Sequence, residues 1–174
     1  MKMADWTGQT LRWVQPRALK QEFELRAQEI PIATLRFRSA FRPEATVESA
    51  EGCWTFRQVG FWRQRILIRE CGAETDLAVF RHHNWRGGGI LELADGRRCA
   101  VRTNFWATRL ELTDEAGNPL LTFRKIGGFL RLSAEMEISP EATHLPELPW
   151  LVPFGWYLIV LKYRQQAAAA AAAS

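Results

Sequence analysis

The stretch LPWLVPFGWYLIVL, residues 148–161, runs for fourteen residues without a charge and closes on Lys162 and Arg164. Its reading decides the fold. A bilayer crossing wants about 20 apolar residues, whereas runs of roughly 10 to 14 belong to buried helices or interfacial segments. Lengthening the run into a span would draw Glu147 or Lys162 into lipid, at a cost in energy. A helix apolar on every side must still be surrounded, and the rest of this chain is the available surround. The connector that leads into it, SPEATHLPELPW at residues 139–150, is rich in proline and marks the one change of pattern in the sequence.

Over residues 11–138 the apolar side chains recur at every second position in short runs broken by turn residues, the period of strands with one buried face. The runs include Phe23 and Leu25, Leu35 and Phe37 flanked by Arg36 and Arg38, Trp54 and Phe56, and Trp62 with Ile66 and Ile68. They continue through Cys99 and Val101, Leu110 and Leu112, Leu121 and Phe123, Leu130 and Leu132, and Met136 and Ile138. Asp95-Gly96 in LADGRR can supply the positive φ angles of a tight hairpin turn, and TDEAGNPLL makes a longer one. The count is about twelve strands. Closing them into a barrel removes their edges, but a barrel of that width is too wide for its own side chains to fill. The apolar helix fills it, with Trp150, Phe154, Trp156, Leu158 and Leu161 expected against the inward faces. The expected fold is therefore all-β with one C-terminal helix: a closed antiparallel barrel of about twelve strands around a central hydrophobic helix.

At 174 residues and 20.0 kDa the chain suits one domain with a sizeable core, placed at residues 1–164, with an alanine-rich tail at 165–174. Apolar residues at 47% and charged residues at 24% put it among globular proteins rather than disordered ones. Its cations are 19 Arg and 4 Lys, so the excess charge sits on guanidinium groups suited to bidentate contacts with carboxylate or phosphate. Residues 36–109 hold thirteen Arg against eight acids, and residues 111–147 hold seven acids against three bases. This is either an anion-binding face or neighbouring strands that pair their charges. Cys53, Cys71 and Cys99 show no C-x-x-C spacing, which argues against a disulfide framework and a zinc site and fits a reducing compartment. The opening residues lack the continuous apolar core of a secretory signal, so cytoplasmic residence, with room for peripheral membrane association, is expected.

The hairpin LELADGRRCAV at residues 91–101, the hairpin LELTDEAGNPLLTFRK at 110–125 and the closing apolar helix, in that order, resemble the tubby C-terminal-like fold shared by tubby proteins, LURP-one-related proteins and phospholipid scramblases. The resemblance covers residues 11–164. It implies the barrel and helix, and it implies phosphoinositide headgroups as the ligand class of the tubby branch. The lysine-and-arginine motif of that branch does not map onto this chain residue by residue. The acidic calcium-binding and cysteine-rich segments of the scramblases are also missing, so the LURP-one-related branch is the nearest match.

Candidate sites are few. Arg63, Arg65 and Arg69 in FWRQRILIRE share one strand face, and with Arg36, Arg38, Arg97, Arg98 and Arg102 they form a candidate surface for lipid phosphate. The plainer reading makes them solvated strand faces, paired with neighbours such as Glu92 and Glu111. In FRHHNWRGGG, His82, His83 and Arg86 stand in a candidate ligand loop; adjacent histidines on a strand point to opposite faces and are poorly placed to chelate one metal. Glu135 and Glu137 share a face, but as the wet side of a strand rather than an acid–base pair. No nucleophile elbow or ordered Ser, His and Asp set appears. The aromatics are read as core rather than as stacking platforms, and the net charge of +4 is too small for nucleic acid. The expectation is a non-enzymatic binding protein without cofactor or metal, touching anionic phospholipid at a membrane surface. The alternatives are a protein-interaction scaffold without a lipid role and a protein anchored by its C-terminal helix.

Overall fold

The computed structural model describes residues 1–83, 88–128 and 130–174. The alternating runs become strands β1 (Thr10–Val14), β2 (Glu22–Ala27), β3 (Ile30–Phe37), β4 (Ala45–Ser49), β5 (Gly52–Val59) and β6 (Arg65–Glu70). The second half adds β7 (Ala78–His82), β8 (Gly89–Leu93), β9 (Arg98–Thr103), β10 (Leu110–Thr113), β11 (Pro119–Gly127) and β12 (Ser133–Ile138), followed by helix α1 (Leu148–Ala173). Each strand pairs antiparallel with its neighbours in sequence, and β1 pairs with β12 to close the barrel. Across that seam Leu11 lies opposite Met136 and Trp13 opposite Ala134, so the apolar alternation continues around the whole circumference.

The inward side chains meet α1 on the axis. Trp156 stacks on Trp13, with ring centroids 5.5 Å apart and planes within 2°, and meets Phe23 edge-on. Phe154 packs against Phe56 and Phe80, and Tyr157 against Phe37 and Phe56. On the opposite side Gly155 lets the helix approach β11, because a Cβ there would lie 2.5 Å from the Phe123 ring. Rings from β1, β2, β3, β5, β7 and β11 thus surround one helix. All five side chains expected as the plug are buried. Among the described residues no helix is long and apolar enough to cross a membrane; the stretch that would anchor the chain occupies the barrel instead.

Two expectations are corrected. Trp62 and Leu130, read as strand core, are exposed, on the loops after β5 and after β11. The chain turns before Trp62, at Gly60 with φ of 91°, and the ladder resumes only at Arg65. Cysteines read as reduced include a disulfide, Cys53–Cys71, with Cα atoms 5.4 Å apart. Cys53 lies in β5 and Cys71 directly follows β6, and the Cys71 N–H donates to the Cys53 carbonyl, so hairpin pairing sets the two opposite each other. Such bridges belong to oxidising surroundings, and the cysteine pattern no longer supports a reducing compartment. Residues 165–174, the alanine-rich tail, extend α1 into solvent as far as Ala173, as the helix preference of alanine favours.

Strand direction alternates, so the loops at 15–21, 38–44, 60–64 and 104–109, together with the described residues His83, Gly88, Gly128 and 130–132, gather at one end of the barrel. The helix enters at the other end, where buried Glu147 accepts two hydrogen bonds from Arg97, at 2.7 and 3.1 Å. It leaves through the first. There the Tyr157 hydroxyl donates to the Pro43 carbonyl at 2.5 Å, and the Arg164 guanidinium donates to Arg42 O and to Gln21.

Candidate functional site

Where α1 leaves the barrel, a cleft of about 960 Å³ opens beside it. Its deeper wall is apolar, made by Leu110, Ile126, Leu158 and Leu161. Its rim carries Arg63, Arg65, Arg81 and His82. Arg65 starts β6 and lies directly opposite Arg81 of β7 in the ladder. Like charges facing each other across strands destabilise a sheet unless something offsets them. Yet Arg63, Arg65 and Arg81 have no ion pair or side-chain hydrogen bond among the described residues.

Elsewhere most of the candidate arginines on the outer face are paired, as the plainer sequence reading expected; Arg102 of β9 is the exception, since Glu111 opposite it pairs with Arg109 and Arg102 has no ion pair among the described residues. Arg36 bridges Glu22 and Glu48, both at 2.7 Å, which raises its pKa. Arg38 meets Glu44, Arg98 meets Glu92, and Arg97 holds Asp95 as well as Glu147. Arg69, grouped with Arg63 and Arg65 in the sequence, is bound to Asp76 at 2.5 Å and does not line the cleft. Glu135 and Glu137 each sit against a cation, Lys125 and Arg124 respectively, as the wet side of β12.

His82 packs edge-on against Phe80 with centroids 5.0 Å apart, and desolvation lowers its pKa, so the ring is neutral at neutral pH. A neutral imidazole both donates and accepts a hydrogen bond. Lys162 of α1 donates to Thr103 at 3.2 Å on the cleft wall, its own pKa lowered by desolvation. His83 is exposed beyond the end of β7 and does not line the cleft. Arg86, the remaining candidate, lies outside the described residues. The structure thus brings Arg63, Arg65 and His82 together, and adds Arg81.

Sequence reasoning missed the apolar side chains around this same mouth. Phe61 and Trp62 pack edge-on at 5.1 Å and are 84% and 91% exposed; Phe105 and Trp106 repeat the arrangement at 5.0 Å. The signal was present in the dipeptide Phe-Trp itself, since two successive residues of a strand cannot both face the core. A basic rim above an apolar wall can hold an anionic group on guanidinium forks while an apolar portion lies against the helix. No family model, curated protein or solved structure matches this chain.

Proposed function

We propose that this chain is a non-enzymatic, tubby-like barrel protein that binds anionic phospholipid headgroups at a membrane surface through the cleft beside the helix exit. The observation that carries the reading is the opposition of Arg65 and Arg81, with Arg63 beside them, in a protein that gives Arg36, Arg69, Arg97 and Arg98 acidic partners. Folding gains nothing from facing two guanidinium groups; a phosphate between them supplies the missing charge and takes bidentate hydrogen bonds. The twelve-strand barrel around a central helix is the architecture that the tubby-like resemblance implies, and it supports the family reading in the same way.

Sedimentation with phosphatidylcholine vesicles, with and without phosphatidylserine, tests this. The protein is expected to pellet only with the anionic vesicles, less so as salt rises. The triple variant R63Q/R65Q/R81Q is expected to bind about tenfold or more weakly. Equal binding to neutral vesicles, or an unaffected triple variant, contradicts the reading. Competition by inorganic phosphate separates a free anion from a lipid headgroup as the ligand: a site for free phosphate loses it in solution, whereas membrane binding survives.

A further inference from the structure

The two ends of the barrel differ in a way the cleft alone does not require. Among the described residues, the loops at the helix-exit end carry seven arginines and lysines and one acid, Glu44, which is itself paired with Arg38 and Arg57. The connections at the other end carry nine acids and one base, Arg97. Seven of the nine exposed large apolar side chains among the described residues, all but Met1 and Ile30, also ride on the exit-end loops.

These tips are held out by the backbone. Gly60-Phe61-Trp62-Arg63 and Gly128-Phe129-Leu130-Arg131 share one pattern, a glycine at positive φ (91° and 133°) followed by apolar residues and an arginine. In both turns a Cβ on the glycine would collide with the carbonyl oxygen of that arginine, so only glycine permits the turn. Leu19, at the tip of the first exit-end loop, holds a φ of 66° that leucine rarely adopts, with its side chain in solvent.

We propose that this end of the barrel docks end-on into an anionic lipid bilayer, with Phe41, Phe61, Trp62, Phe105 and Trp106 entering the interfacial zone, the loop arginines meeting lipid phosphates, and the exposed, uncharged turns of α1 that project from the same end entering the leaflet with them. The inference rests on the headgroup reading above and adds orientation and depth to it. Aromatic side chains beside cations are the composition that partitions into the bilayer interface. Charge selects the occupant: a second copy brought to this end would set basic loops against basic loops, whereas an anionic leaflet complements them and repels the acidic end.

The test compares the whole chain with F61A/W62A/F105A/W106A, whose altered side chains are exposed and carry no core packing. On phosphatidylcholine–phosphatidylserine vesicles the variant is expected to bind about tenfold or more weakly than the parent. Vesicles with brominated acyl chains are expected to quench the parent's tryptophan fluorescence, and W62F and W106F each to lose part of that quenching. Vesicle binding that depends on Arg63, Arg65 and Arg81 but ignores the tip substitutions, with quenching unchanged in W62F and W106F, overturns the insertion and leaves headgroup binding standing. No vesicle binding by the parent removes both. Concentration-dependent self-association abolished by the tip substitutions, without vesicle binding, assigns the surface to a second copy instead.

Discussion

Gly155 and Phe123 set the distance between the helix and its wall. The missing Cβ is the space into which the Phe123 ring fits, and the helix has no slack there because the Phe56 ring of β5, across the barrel from β11, already presses on Phe154. Gly155→Ala, which raises helix propensity, is nonetheless expected to destabilise by about 1–3 kcal/mol through overpacking, measured by urea unfolding. The tryptophans divide in the same way. Trp156→Ala removes a fully buried ring stacked on Trp13 and should cost about 3–5 kcal/mol. Trp62→Ala removes an exposed ring and should shift stability by no more than about 0.5 kcal/mol. Comparable losses for the two would mean that Trp62 is packed and the loop reading is wrong. At this scale the sequence was legible wherever a residue had polar neighbours on both sides, as with Leu35 between Thr34 and Arg36. It misled at Trp62, because the alternation of Trp62 with Ile66 and Ile68 outweighed the Phe61-Trp62 dipeptide that a strand with one buried face cannot hold.

The hairpin of β5 and β6 holds the chemistry that the linear sequence concealed. Spacing alone gave no reason to join Cys53 and Cys71, eighteen residues apart; only the register of the hairpin brings them together. Cys99 faces the core on β9, where burial, with Glu147 adding to it, pushes its thiol up to about 11. A thiol titration should therefore find no reactive cysteine in the native protein, one on denaturation and three after reduction. Two or three reactive thiols in denatured, unreduced protein would exclude the bridge. Opening the bridge by Cys53→Ser with Cys71→Ser should cost about 2–4 kcal/mol. The Cys99 shift has a definite sign. Because the folded state raises this pKa, its contribution is complete below the ordinary value of 9.0 and is lost as pH climbs from there through about 11. Against Cys99→Ala, the parent should lose stability over that window and not below it.

For the whole molecule, helix and sheet were readable because each solves the other's problem: a strand set with edges needs closure, and an uncharged helix needs covering. The site was only partly readable. Charge counted along the chain showed a basic middle and an acidic later part, but the barrel does not sort charge by position in sequence. An antiparallel meander sends successive loops to opposite ends, so arginines alternating with acids from turn to turn become a basic crown and an acidic base. The helix runs the same way, entering at the acidic end, where Glu147 stands at its N-cap, and crossing to the basic one. In the proposed docking, that polarity orients the molecule on an anionic surface. Hydrogen–deuterium exchange with and without phosphatidylserine vesicles reads the orientation directly. Slowed exchange confined to the loops at 15–21, 38–44, 60–64 and 104–109, with those at 71–77 and 114–118 unchanged, is the predicted result. Protection of the acidic-end loops, or none at either end, would contradict it.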